Sequence, residues 1–277
     1  MTESDQFKNK VAVITGGTQG LGEAAARLYA ERGMAGIIIT GRNEKKAEKI
    51  CKDIKAKGSD CFFIKAELSK VDECKSIIDY ADNKFGKIDI LVNCAGFTER
   101  GTILSTTPEH FDKMININLR APFFLIQSSV KLMRREKVEG SIVSISSMQA
   151  HGGLPMHCPY SASKGALVIL TKNIANSLYR DRIRVNAINI GWTDTPGETK
   201  IQKKFHQAND NWLKDAEKNM PFGRLIKVDE VAKAIAYLTS KESGLMTGSI
   251  IDFDQAVDGT NSQYYSTPRL TDDLLGI

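Results

Sequence analysis

The chain has 277 residues, enough for one large domain or two small ones with a sizeable core, in an ordinary globular composition. A net charge of +5, with 38 basic and 33 acidic side chains interspersed, leaves no nucleic-acid footprint, although anionic small molecules would be comfortable. Five scattered cysteines without CxxC read as reduced thiols, the four histidines have no metal-ligand spacing, and no apolar run reaches membrane length. The polar, acidic N-terminus has no signal-peptide core, so a cytoplasmic protein with no metal, membrane or nucleic-acid partner is expected.

Residues 10–15 (KVAVIT) are a short apolar run, as in a buried parallel strand. Glycines follow at once (residues 16–22, GGTQGLG), then an Ala-rich helix over 23–31. Strand, glycine turn and helix together aim free backbone N–H groups and the helix dipole at a phosphate. A loop with glycines for steric reasons alone is the simpler alternative.

Residues 36–40 are a second strand, and 43–58 an amphipathic helix with Ala47, Ile50, Cys51 and Ile54 inward. A third strand covers 61–64, Ser69 caps a helix to about residue 85, and 88–92 form a fourth strand. Thr107, Pro108 and Glu109 open a long helix that contains Asn118. Residues 142–145, 183–188 and 249–253 complete seven strands. Regular alternation of strands with helices, without a linker or repeat, argues one domain over 1–277: an α/β, doubly wound, mostly parallel sheet with helices on both faces. The polar stretch 196–222 reads as an excursion over the carboxyl ends of the strands, where a lid or a merely packing helix would sit; 260–277 is a tail.

Tyr160 and Lys164 stand one turn apart near the start of a helix whose Leu167, Leu170, Ile174 and Leu178 form an apolar stripe. An ammonium so placed favours a phenolate and moves a phenol toward proton exchange with an alcohol or carbonyl. Ser147, at the end of a strand, can present its hydroxyl to the same oxygen. Taken alone, the pair also fits a solvated helix face.

Together, the glycine turn (Thr15-Gly16-x-x-x-Gly20-x-Gly22), Asn93-Cys94-Ala95-Gly96, Ser147 and Tyr160-x-x-x-Lys164 resemble the short-chain dehydrogenase/reductase family over residues 8–259. The resemblance implies a Rossmann-like fold, a nicotinamide cofactor, hydride exchange between it and an alcohol/carbonyl pair, and a homotetramer or homodimer. It assigns the catalytic tetrad to Asn118, Ser147, Tyr160 and Lys164. It assigns the cofactor to Gly16, Thr18, Gln19, Gly20, Leu21, Gly22, Arg42, Asn43, Glu67, Leu68, Asn93, Ala95, Gly96, Tyr160, Lys164, Gly191, Thr193 and Thr195. Departures from the family pattern are Glu67 for Asp, Cys94 for Asn, Ile190 for Pro, and residues 253–259 for VDGG.

At the end of the second strand, a carboxylate would bind the ribose hydroxyls of NAD; Gly41 stands there and Arg42 follows, which points to NADP(H), with NAD(H) possible. Substrate walls are expected from 97–100, 148–157 and 197–222, with Gln149, His151, His157 and Trp192 as substrate contacts. The polar set there leans toward a sugar, polyol or other small hydroxylated compound. Met148, Leu154, Met156, Phe205 and Trp212 keep a 3-oxoacyl or cyclic ketone open, and a non-catalytic NADP-binding sensor is the alternative of another class.

Overall fold

The computed structural model describes residues 5–258, so the expected tail lies outside the described residues. Each of the seven apolar runs becomes a strand of one sheet. β1 (Val11–Thr15), β2 (Gly36–Gly41), β3 (Asp60–Lys65), β4 (Ile90–Asn93), β5 (Ser141–Ser147) and β6 (Arg184–Ile190) come first. A small parallel ribbon, β7 (Thr193–Asp194) with β8 (Ile226–Lys227), precedes β9 (Ile250–Phe253). The main sheet runs β3-β2-β1-β4-β5-β6-β9, with every pair parallel.

Alternation along each strand builds two cores. Ala12, Ile14, Ile37 and Ile39 face α1 (Gly20–Glu31), α2 (Glu44–Lys55) and, later in the chain, α9 (Val228–Thr239). Val13 and Ile38 point the other way, toward α3 (Val71–Phe85), whose Ile77 and Ile78 share that core. Between α3 and β5 the chain forms α4 (Pro108–Ile115) and α5 (Ala121–Arg135); after β5 come α6 (Cys158–Leu178), α7 (Pro196–His206), α8 (Trp212–Glu217) and α9 (Val228–Thr239). Apolar strands buried on both sides are the reason the runs read as continuous rather than alternating.

Two expectations change here. Ser69 does not cap α3: its hydroxyl bonds Glu67, and Lys70 takes the cap position without a side-chain bond. The long helix expected after Thr107 is interrupted. Thr107 does cap it, accepting from the His110 N–H, but residues Asn116–Arg120 form a π-helical turn between α4 and α5. Such a turn widens the helix locally and re-aims one side chain, here Asn118.

Strand order reverses between β1 and β4, and the crevice between their carboxyl ends is the switch point of this topology. Thr15 pairs with Asn93, and its Oγ1 accepts the N–H groups of Cys94 and Ala95, both at 3.1 Å. That bond pins the turn after β4 against the glycine turn after β1.

Candidate active site

A single cleft of about 1520 Å³ runs along the carboxyl edge of the sheet, from the glycine turn to the loops after β4, β5 and β6. Its floor at one end is the start of α1. Gln19 caps that helix only by position and makes no side-chain bond, so first-turn N–H groups are left for an outside acceptor. Gly16 and Gly20 have φ of +67° and +56°, and a Cβ on Gly22 would lie 2.5 Å from the Gly16 carbonyl oxygen. The turn is therefore a cradle that only glycine backbone can make, and its donor set suits a diphosphate. Thr18, Gln19, Leu21, Arg42, Asn43, Glu67 and Leu68 also line this half, as do Ala95, Gly96, Gly191, Thr193 and Thr195 farther in. Asn93 is the exception among the expected cofactor residues. It is buried below the wall, donates to Ser144 Oγ at 3.2 Å, and has an Oδ1 with no partner.

Ser147, Tyr160 and Lys164 meet at the middle of the cleft. Ser147 ends β5 opposite Ile190 of β6. Its Oγ accepts the Gln149 N–H at 3.2 Å, which leaves the hydroxyl proton free for the reacting oxygen or for Tyr160. Tyr160 is in the first turn of α6, just after Pro159, as the spacing implied. Lys164 is 4 % exposed; its Nζ donates to the Ile145 carbonyl at 2.8 Å and lies 5.7 Å from the centre of the Tyr160 ring.

Charges here differ from the sequence expectation. Burial raises the Tyr160 pKa above its ordinary value; the Ser147 hydroxyl pulls it down, Glu198 adds to the rise and Arg100 opposes it. Burial lowers Lys164 from 10.5 to about 8. In the cofactor-free protein the phenol is thus held neutral, and Lys164 does not override burial as expected. Cys94, beside Lys164, is pushed up to about 12 by burial and remains a thiol.

Asn118 is fully buried behind this group and does not line the cleft. It clasps Phe97 from both sides, accepting its N–H at 2.8 Å and donating to its carbonyl at 2.9 Å, and also donates to Ser163 Oγ at 3.1 Å. A Cβ on Gly96 would lie 3.8 Å from Asn118 Oδ1 and 3.9 Å from Lys164 Nζ, so the two flank the Gly96 backbone.

The outer half of the cleft is lined from the three expected wall segments. Backbone bonds from Gly101 to Met156 and from Cys158 back to Gly101 zip two of the walls together. Gln149, His157 and Trp192 line it; His151 does not. It turns away to Asp252 Oδ1 at 2.9 Å and Asp258 Oδ2 at 3.3 Å, binding the loop after β5 to the end of β9. Phe205 and Trp212 are also absent from the lining: Trp212 packs with Met220, Leu225 and Trp192 in a small core beneath α8. Glu198, which no motif singled out, stands instead at the centre of the α7 wall. Thr195-x-x-Glu198 reads as a capping box, and Thr195 does accept the Glu198 N–H at 3.0 Å. The carboxylate, however, goes to Trp192 Nε1 at 2.9 Å and Gln202 Nε2 at 2.7 Å.

A doubly wound sheet with a phosphate cradle at its switch point, opening onto a buried Ser-Tyr-Lys cluster, defines a nucleotide-dependent oxidoreductase. Comparison with known proteins narrows the class. Residues 16–257 match a family model described as enoyl-(acyl carrier protein) reductase. An uncharacterized oxidoreductase of Thermotoga maritima is 37 % identical over 90 % of this chain and 97 % of its own length. The 3-oxoacyl-[acyl-carrier-protein] reductase FabG of the same organism is 32 % identical over 90 % of this chain and 98 % of its length. A 3alpha-hydroxysteroid dehydrogenase of Mediterraneibacter gnavus is also 32 % identical, over 90 % and 97 %. Among solved structures, a mutant form of a Serratia marcescens short-chain dehydrogenase/reductase superposes with a TM-score of 0.80 at 28 % identity, covering 90 % of this chain and 98 % of its own. The chain belongs to the short-chain dehydrogenase/reductase family, and is an NAD(P)-dependent oxidoreductase acting on CH–OH groups.

Proposed function

We propose that this enzyme exchanges a hydride between NADP(H) and a small hydroxylated alcohol/carbonyl substrate such as a sugar or polyol, with Tyr160 moving the proton. The observation that carries this is the meeting of Ser147, Tyr160 and Lys164 in the middle of the cleft, next to its glycine-lined half. The nicotinamide, when bound, supplies or accepts the hydride. Gly16 to Gly22 would hold the diphosphate, Arg42 and Asn43 the adenosine end, and Ala95, Gly96, Gly191, Thr193 and Thr195 the nicotinamide half. Lys164 is set to hold the ribose hydroxyls.

The chain's own groups account for the proton. Ser147, whose lone pair is taken by the Gln149 N–H, donates its hydroxyl proton to the reacting oxygen and fixes it beside Tyr160. A Tyr160 kept neutral by burial is ready to give its proton to that oxygen when a carbonyl is reduced. In the oxidative direction the same phenol must first lose its proton, and Lys164 then becomes the stabilising cation. Asn118 holds Phe97 and Ser163, and through them the backbone at Gly96 and the start of α6.

Support for NADP over NAD is a positive adenosine end: Arg42, Lys45 and Lys46 line it, and the β2 terminus carries Gly41 instead of a carboxylate. A homo-oligomer is supported by an apolar groove on the outer face of α5 and α6, where Phe123 is 39 % and Ile169 66 % exposed beside Leu119, Phe124 and Leu170. Among the described residues no helix is long and apolar enough to cross a membrane, which fits a cytoplasmic enzyme. The polar groups Arg100, Gln149, His157 and Glu198 on the outer wall support a hydroxylated substrate, while Phe97, Met148, Leu154 and Met156 beside them support the 3-oxoacyl alternative. A panel of sugars, polyols, 3-oxoacyl thioesters and cyclic ketones, followed at the nicotinamide absorbance with NADP(H) and NAD(H) in parallel, tests the assignment. Turnover of a hydroxylated compound is expected; bound cofactor without turnover of any member would identify a sensor instead.

A further inference from the structure

Three side chains on the outer wall each keep one polar atom without a hydrogen bond, in a way that points to one kind of ligand. Arg100 has a side chain 14 % exposed. Its Nε faces His206 Nε2 at 3.3 Å and its Nη1 donates to the Thr98 carbonyl at 3.2 Å. Nη2 reaches only to 3.7 Å from Glu198 Oε1, beyond hydrogen-bond length. Glu198, 16 % exposed, receives Trp192, Gln202 and that distant Arg100 all on Oε1, so among the described residues Oε2 has no bond.

The third group is His157, 8 % exposed and lining the same cleft. Its tautomer follows from its neighbours. Gln149 Oε1 accepts the Leu154 N–H at 3.1 Å, so that atom is the oxygen, and His157 Nδ1 at 3.0 Å from it must carry a proton. Burial, with the Arg100 charge, lowers the imidazole to about 4, so it is neutral and Nε2 is a bare acceptor. That nitrogen is buried and has no partner.

We infer that Arg100, Glu198 and His157 form a hydroxyl-reading subsite beside Tyr160, so that the substrate carries at least one further free hydroxyl near the reacting carbon. Arg100, Glu198 and His157 line the same cleft as Tyr160, which puts the subsite beside the reacting centre. The balance of one donor and two acceptors decides the ligand's chemistry. A hydroxyl both accepts from Arg100 Nη2 and donates to Glu198 Oε2 or His157 Nε2. A carboxylate would satisfy Arg100 but face an anion and a lone pair, and an acyl chain would leave all three unpaired and dry. The inference rests on the proposed dehydrogenase reaction for the position of the reacting carbon, and names Arg100, Glu198 and His157 as the residues that set specificity.

The test uses matched probes that differ by one hydroxyl: acetoin against 2-butanone, and D-glucose and D-galactose against their 2-deoxy forms. A site built to bond a substrate hydroxyl rejects the analogue lacking it strongly, and in a partly open cleft a preference on the order of 100-fold in kcat/KM is expected. Glu198→Gln and Arg100→Met should each cut that preference at least about tenfold, chiefly through KM, with NADPH affinity unchanged as proof of an intact fold. Probes that are not turned over are compared by binding to the enzyme–NADPH complex. Preference in binding without turnover would uphold the subsite and remove the dehydrogenase assignment. Turnover or binding without preference in the wild type, or a preference undiminished in both variants, would overturn the subsite and leave the dehydrogenase standing.

Discussion

Replacing Lys164 by Met should stabilise the cofactor-free protein while disabling it. The ammonium is buried, and its drop from 10.5 to about 8 is a penalty of about 3 kcal/mol on the folded state at pH 7. Met fills similar volume without charge but gives up the bond to the Ile145 carbonyl, worth about 1 kcal/mol. The net expectation is about 2 kcal/mol of added stability, or a Tm higher by roughly 5 °C for a chain of this size. The sign with pH follows from the lowered pKa. The penalty is complete below pH 8, because the unfolded chain binds the proton more readily, and it fades as pH rises toward 10.5. Urea titrations of both proteins without cofactor, at one protein concentration, should therefore show the variant ahead at pH 7 and about level at pH 9.5. A variant less stable at pH 7, or an advantage that does not change with pH, would refute the claim that Lys164 is a charge held against burial for function.

Arg42→Ala should raise the KM for NADPH about tenfold, equivalent to ~1.4 kcal/mol, and leave that for NADH nearly unchanged; steady-state kinetics with both cofactors checks it. His157, lowered from 6.5 to about 4 by burial, stays neutral when folded, so its contribution is present above pH 6.5 and is lost as pH falls toward 4. His157→Asn should flatten the loss of stability across that window in acid denaturation. If the proposed oligomer uses the exposed face of α6, Ile169→Lys should convert it to smaller species in light scattering coupled to gel filtration; an unchanged mass would remove that face from the interface.

What the sequence made legible follows from which interactions are local. Strands buried on both faces must be apolar along their length, so all seven could be marked, and the glycine turn could be placed because its φ values and close approaches tolerate nothing else. Side chains whose partners are distant could not be placed. His151 belongs to Asp252 and Asp258, a hundred residues on, and so leaves the cleft. Trp212 looked like a lid side chain because the Trp192 and Leu225 it packs against were not visible as neighbours. No motif singles out Glu198, and its bonds to Trp192 and Gln202 on the cleft wall depend on how α7 folds over the site. The Tyr160–Lys164 spacing held, whereas its electrostatics did not, because burial cannot be weighed from spacing.

The account turns on Tyr160 as the group that moves the proton. Tyr160→Phe removes one oxygen and leaves the cleft's shape, so the decisive measurement is its kcat on the best substrate of the panel, beside its NADPH affinity. The expected result is a loss of at least about 10³-fold in kcat with affinity held within about twofold. Turnover within tenfold of the wild type, with cofactor bound normally, would contradict the assignment.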